Sequence, residues 1–232
     1  MKPIYEPKTR AKEYCDLAIN IYQGCSHGCT YCYARKMFER YHPNEKFEDV
    51  KLRPGIIEAT KKQLSSGKFE GKTIQLCFMC DPYPAGIDTT PTREIIKLIK
   101  AAGAHVQILT KGGERAYRDF DSLDSNDWFG ITISSIKDSH VEEPNAAPVD
   151  ERMNVLRDAN KRGIKTWISF EPVINTDDIL FLLKFLPDKN TFLKIGKLNH
   201  VANSTDWKAF GLEAERICKE NGWNYYIKED LR

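Results

Sequence analysis

The stretch Gly24-Cys25-Ser26-His27-Gly28-Cys29-Thr30-Tyr31-Cys32-Tyr33 decides how this chain is read. It sets three cysteines at spacings of four and three residues inside one short loop. Thiolates so close together cannot brace distant parts of a fold, but they can grip three corners of a compact cluster. Protein thiolates hold iron–sulfur clusters, usually four at a time. Here one loop supplies three and no fourth follows, which leaves one iron open to a substrate or cosubstrate.

Two other uses of the thiols compete with the cluster. A structural zinc site takes four N/S ligands, often as paired C-x2-C knuckles. Cys29 and Cys32 could pair in this way with Cys77 and Cys80. Their separation is long for a compact zinc ribbon, and Cys25 would be left unexplained. A disulfide framework fits worse, because the seven cysteines are odd in number and sparse for 232 residues.

That length suits a single domain over 1–232 with a full core. Hydrophobic residues at 41% and charged residues at 29% fit a soluble globular protein. Charges interrupt every apolar run before it could span a bilayer. The start, Met1-Lys2-Pro3-Ile4-Tyr5, has no apolar signal-peptide core. A cytoplasmic location is expected, which also suits unpaired thiols. A net charge of +2 argues against nucleic-acid binding by bulk electrostatics, so any such binding needs a local patch.

Working outward from the cysteines, residues 1–16 are polar and basic and read as a leader lying over the domain. Residues 18–22 form a first strand that delivers the chain to the cysteine loop, and 34–41 a helix that leaves it. A helix opened by Pro54 and Gly55 ends near Gly67. Residues 73–79 read as a strand, and Ile95, Leu98, Ile99 and Ala102 mark one face of the helix that follows. Strands over 105–109, 128–134, 165–170 and 191–195 alternate with helices over 149–161 and 179–186. A last helix carries Phe210, Ala214, Ile217 and Cys218 inward, before a short strand at 223–226. Such alternation requires parallel strands with crossovers. About six units fall short of the eight of a full barrel. The expected fold is therefore α/β, a partial, open (β/α)6 TIM-like barrel with its core over about 17–228.

Parallel barrels carry function on the loops after the strands. That places the cysteine loop at one rim with Cys80, Asp81, Lys111, Ser134, Ser135, Glu171 and the segment Gly196-Lys197-Leu198-Asn199-His200. Strand alternation would send Cys77 and Cys80 to opposite faces, with Cys80 nearer the mouth. Arg118 and Asp119 read as a structural ion pair, Cys218 as core, and Cys15 carries no signal.

The C-x3-C-x2-C spacing followed by an aromatic resembles the signature of radical S-adenosylmethionine (SAM) enzymes. Further segments are similar to the spore photoproduct lyase family and its "DNA repair photolyase"-like relatives. They are Asn20-x-Tyr22-x-Gly24 running into the cysteine loop and Ala34, Asp81-Pro82-Tyr83, Thr110-Lys111, Arg118-Asp119, Ile133-Ser134 and Glu143-Pro144. The match covers roughly residues 18–175. The loop is specific for the superfamily, and the other segments point to the subfamily only together.

The resemblance implies that Cys25, Cys29 and Cys32 hold a [4Fe-4S] cluster whose fourth iron binds SAM. It implies a 5′-deoxyadenosyl radical that abstracts a substrate hydrogen, in lyase-like chemistry. Lys111 would then meet the SAM carboxylate and Ser134 the ribose, with Tyr33, Asp81 and Glu171 close to the cofactor. Cys80 would be a hydrogen donor to the product radical, and Tyr31 a candidate for the same relay. The electron donor would be a protein such as flavodoxin or ferredoxin. True lyases of that family are longer, so DNA, a nucleotide or another small molecule all stand as substrates. Two rival classes remain open: a zinc-held nucleic-acid-binding module, and an electron carrier whose cluster takes Cys77 or Cys80 as fourth ligand.

Overall fold

A computed structural model describes residues 2–199, 201 and 203–232. His200, the last residue of the expected rim segment, lies outside the described residues. In chain order the first elements are β1 (Ile4–Tyr5), β2 (Ala18–Ile19), β3 (Tyr22–Gln23), α1 (Tyr33–Tyr41), β4 (Lys51–Leu52) and α2 (Ile56–Leu64). There follow β5 (Thr73–Leu76), α3 (Thr90–Ala101), β6 (His105–Thr110), β7 (Trp128–Thr132), α4 (Ser139–Glu142) and α5 (Val149–Lys161). The chain ends through β8 (Lys165–Phe170), α6 (Thr176–Phe185), β9 (Phe192–Ile195), α7 (Trp207–Glu220) and β10 (Tyr225–Ile227).

Eight strands make one sheet in the order β1-β2-β5-β6-β7-β8-β9-β10. Only the β1–β2 pair is antiparallel; from β2 to β10 every neighbour is parallel. The order follows the sequence without reversal, and β1 and β10 stand at the edges without pairing to each other. The architecture is thus α/β with a mostly parallel sheet.

Period-two alternation divides each strand between two environments. One face carries Ile74, Leu76, Val106, Ile108, Phe129, Ile131, Ile168, Phe170, Leu193 and Ile195, all within a single apolar core. Against it lie the apolar stripes of the helices, such as Ile95, Ile96 and Ile99 of α3 and Val155, Leu156 and Ala159 of α5. Each such Val, Leu, Ile or Phe side chain, fully buried, contributes about 1.5–3 kcal/mol. The other face carries Gln75, Gln107, Leu109, Trp167, Ser169 and Lys194, and its filling comes from the leader. Tyr14 packs on Trp167 with ring centroids 5.8 Å apart. The Gln107 amide donates to the Tyr14 carbonyl at 3.0 Å, and Lys194 Nζ donates to the carbonyls of Glu13 and Tyr14.

The leader lies over the sheet, with Tyr14 packed against it and β1 joined to its edge. Two expectations are corrected. The first strand breaks in two: Ala18–Ile19 stays in the main sheet, while Tyr22–Gln23 turns away to pair with Lys51–Leu52. The strand expected to reach residue 79 ends at Leu76, because Cys77 adopts a left-handed φ of 63°. That turn ends the alternation, so Cys77 and Cys80 are not sent to opposite faces; both line one cavity. Cys218 is fully buried as expected, and Arg118 lies 3.8 Å from Asp119 in a structural cluster with Arg93 and Tyr83. No helix among the described residues is long and apolar enough to cross a membrane.

Candidate metal and cofactor site

The cysteine loop owes its shape to close backbone approaches. Gly24 has φ +86°, and a Cβ there would lie 2.3 Å from the Phe47 carbonyl oxygen. Cys25 N–H donates to that same oxygen at 2.8 Å. The other side of the loop is clamped by residues 142–147. Thr30 N–H donates to the Glu142 carbonyl, Asn145 N–H to the His27 carbonyl, and the Asn145 amide to the Ser26 carbonyl.

Held this way, Cys25, Cys29 and Cys32 line one cavity of about 420 Å³ together with Cys77, Cys80, Tyr31, Tyr33, Asp81, Lys111 and Glu171. Burial pushes the Cys25 thiol well above its ordinary range, with the nearby Asp81 adding to it. Burial also raises Cys29, where Lys111 acts in the opposite direction. Each of these thiols would shed its proton to a bound metal charge.

Lys111 follows β6 and reaches the cavity with its ammonium 5.5 Å from the centroid of the Tyr31 ring. Burial works to lower its pKa, but Cys29 and Glu143 outweigh that effect and raise it. Its ion pair with Glu143 spans 3.9 Å, too long for a direct hydrogen bond. Ser134, just after β7, lies 2.9 Å from the Tyr31 hydroxyl and 3.1 Å from Glu143, and with Tyr31 donating to Glu143 its one proton serves one of these two contacts at a time. Tyr31 also donates to Glu143, and its pKa is raised well above normal by burial and by that carboxylate. Glu143 is in turn held low by Lys111 and Arg152 against the effect of burial.

Asp81 sits at the cavity wall but is heavily committed. It accepts from Tyr83 N–H, the Thr110 hydroxyl and Lys111 N–H at 2.7, 2.6 and 2.9 Å. Its Oδ2 also lies 3.5 Å from His27 Nδ1. Arg115 can only donate, so its 3.1 Å contact makes His27 Nε2 the acceptor and places the ring proton on Nδ1. Burial lowers the His27 pKa, which suits that neutral tautomer. Asp81 therefore ties the cysteine loop to the Lys111 loop.

Across the cavity, Glu171 accepts from Tyr14 and from Lys228, the latter at 2.8 and 3.0 Å. Tyr33 donates to the Phe78 carbonyl at 2.5 Å, and burial raises its pKa. Tyr14, His27, Arg115, Glu143, Arg152, Lys194 and Lys228 were not singled out from sequence. Glu143 and His27 alone had local cues, their places in the Glu143-Pro144 segment and in the cysteine loop.

The donors present fit a cluster held by three thiolates: three sulfurs from one rigid loop, one facing cavity and one buried ammonium. They fit a preformed zinc site less well. Zinc–sulfur bonds of about 2.3 Å put ligand sulfurs within about 4 Å of one another. Among the described residues, the group of three His, Cys, Asp or Glu ligand atoms found within 4.8 Å of one another is His105, Asp124 and Asp127. That group lies outside this cavity, and Lys100 Nζ already occupies it at 2.8 and 2.6 Å from the two carboxylates.

The model of a family described as "Protein of unknown function (DUF5131)" matches residues 9–220. The chain belongs to the DUF5131 family. Among curated proteins, this DUF5131 chain is 30% identical over 178 residues to an uncharacterized protein of Methanocaldococcus jannaschii, covering 75% of the chain and 65% of that relative. It is 24% identical to an uncharacterized protein of Acidianus two-tailed virus, over 79% of the chain and 67% of the relative. The chain thus spans about two thirds of these relatives' lengths.

Among solved structures, a spore photoproduct lyase with bound SAM and dinucleoside spore photoproduct superposes with a TM-score of 0.71 at 16% identity, over 93% of this chain and 77% of that one. Streptococcus suis SuiB bound to SAM gives 0.67 at 11% identity, over 91% and 49%. SuiB has also been solved with its precursor peptide SuiA. At these identities the likeness is one of fold: an α/β architecture resembling radical SAM enzymes.

Proposed function

We propose that this protein is a radical SAM enzyme in which Cys25, Cys29 and Cys32 hold a [4Fe-4S] cluster. The observation that carries the reading is the meeting of these three thiols with Lys111 and Tyr31 in one cavity, with Ser134 hydrogen-bonded to Tyr31 from outside its lining. In this reading residues 1–232 act as a single domain, and the sheet is the open (β/α)6 form of a barrel. When bound, the cluster and SAM supply an electron and a 5′-deoxyadenosyl radical that takes a hydrogen atom from the substrate.

The chain's own residues bind, orient and enclose. Lys111 offers a buried positive charge to the SAM carboxylate, and Ser134 offers a hydroxyl to its ribose. Asp81 fixes the Lys111 loop against the cysteine loop, so that cluster and cosubstrate share one frame. Tyr14 and Glu171 form the opposite wall, and Tyr33 stands close to the cofactor beside Cys32. Cys80 stands beside Cys77 at the same cavity as a hydrogen donor to a product radical. DNA, a nucleotide or another small molecule is the substrate, and an electron-transfer protein such as flavodoxin or ferredoxin is the reductant.

The test is anaerobic reconstitution with iron and sulfide, followed by SAM and dithionite and chromatography for 5′-deoxyadenosine. Wild type should release it and Cys29→Ala should not. A zinc-loaded protein that releases none overturns the reading. One observation favours a second reading, an electron carrier with four thiolates: Cys80 lines the same cavity as the three loop cysteines. That reading requires Cys80→Ser to lose the cluster and wild type to leave SAM intact.

A further inference from the structure

We infer that Glu143 is the positioning residue of this site, setting Lys111 and Tyr31 in place for SAM, with Ser134 held against Tyr31. The inference rests on the proposed function for the identity of the ligand.

Glu143 is 2% exposed, yet its carboxylate meets three groups from three separate parts of the chain. It accepts from Tyr31 of the cysteine loop and from Ser134 after β7, and it faces Lys111 after β6. The backbone around it engages the same partners. Thr30 N–H donates to the Glu142 carbonyl, Asn145 N–H to the His27 carbonyl, and Ala147 N–H to the Lys111 carbonyl. The short segment 142–147 thus touches the cysteine loop, the Lys111 loop and Ser134.

Arg152, 1% exposed, is its counterweight. Its Nη2 lies 2.5 Å from Glu143, while Nε and Nη1 donate to the carbonyls of Ala147 and Thr132 at 2.7 and 2.9 Å. Burying such a pair is often no more stabilising than an apolar pair of the same volume. Its use here is better explained by direction than by stability. The Glu143 and Arg152 charges cancel, so Glu143 does not neutralise Lys111. Because Glu143 attracts Lys111 from 3.9 Å without taking a hydrogen bond, the ammonium keeps its donors for a ligand.

The test uses the reconstituted full chain and two variants. Glu143→Met/Arg152→Met removes both charges and leaves the local net charge unchanged. Glu143→Asp keeps the charge beside Arg152 but withdraws the carboxylate from the two hydroxyls. SAM affinity is measured by isothermal titration, alongside iron content and the thermal midpoint. Both variants should bind SAM at least tenfold more weakly while keeping wild-type iron content. Adding Lys111→Met to the double variant should weaken binding by a smaller factor than it does in wild type, because coupled residues are non-additive. Wild-type affinity in either folded variant overturns the inference. A wild-type protein that takes up iron but fails to bind SAM overturns the proposed function instead.

Discussion

Tyr14 and Glu171 are joined by a hydrogen bond from the phenol to the carboxylate across 157 residues of sequence. Tyr14 also shares a 3.0 Å hydrogen bond with Ser169, and the Lys228 ammonium lies 4.7 Å from the centroid of its ring. Burial and the neighbouring carboxylate raise the Tyr14 pKa well above normal, so its hydroxyl keeps its proton. Tyr14→Phe keeps the ring packing and removes both hydroxyl contacts. The expected loss is about 1–3 kcal/mol of stability, read by denaturant unfolding. Unchanged stability would mean that the ring alone anchors the leader.

Gly24→Ala tests the shape of the cysteine loop. The left-handed φ and the 2.3 Å overlap with the Phe47 carbonyl both oppose a side chain. Together they should cost about 2–5 kcal/mol. Iron uptake should fall with stability, since Cys25 follows directly. Full iron content in a stable Gly24→Ala protein would show that the loop relaxes freely.

Iron analysis separates the five cavity cysteines. Cys29→Ala should lose the cluster's visible absorbance, whereas Cys80→Ser and Cys77→Ser should keep it. Loss of iron in Cys80→Ser would make the site a four-thiolate one.

Lys194 gives a pH prediction. Burial lowers its pKa to about 8, against about 10.4 in an unfolded chain. Between those values the unfolded state holds a proton that the folded state has shed, so this group makes stability rise with pH. The rise amounts to at most about 3 kcal/mol, and below pH 8 the charged amine is a standing cost. Lys194→Met should flatten this component. Comparing the two proteins' unfolding from pH 7 to 10.5 isolates it from the tyrosines and cysteines that titrate nearby. Parallel curves would show that Lys194 stays charged throughout.

Local patterns in the sequence located the cysteine loop, the alternation of strands and helices, and Lys111 and Ser134 at strand ends. These signals lie within a few residues of one another, where spacing and turn residues carry them. The Cys77 turn was hidden because a non-glycine left-handed residue has no signature of its own. Glu143 with Arg152, His27 with Arg115, and Tyr14 with Glu171 and Lys228 depend on contacts between distant segments. A buried ion pair reads in sequence like two solvated charges, and only the tertiary contacts distinguish them.

The wall built from both ends of the chain bears on the timing of assembly. Lys228 reaches the Arg10 carbonyl and Glu171 only after nearly the whole chain exists, a span of 218 residues to Arg10. The cysteines leave the ribosome long before that, while this side of their cavity is still open. Under the proposed function, metal loading begins on a nascent chain, and the segment that carries Lys228, just after β10, completes the wall later. A chain released before β10 would carry the thiols without their shelter and would be the form most open to oxidation.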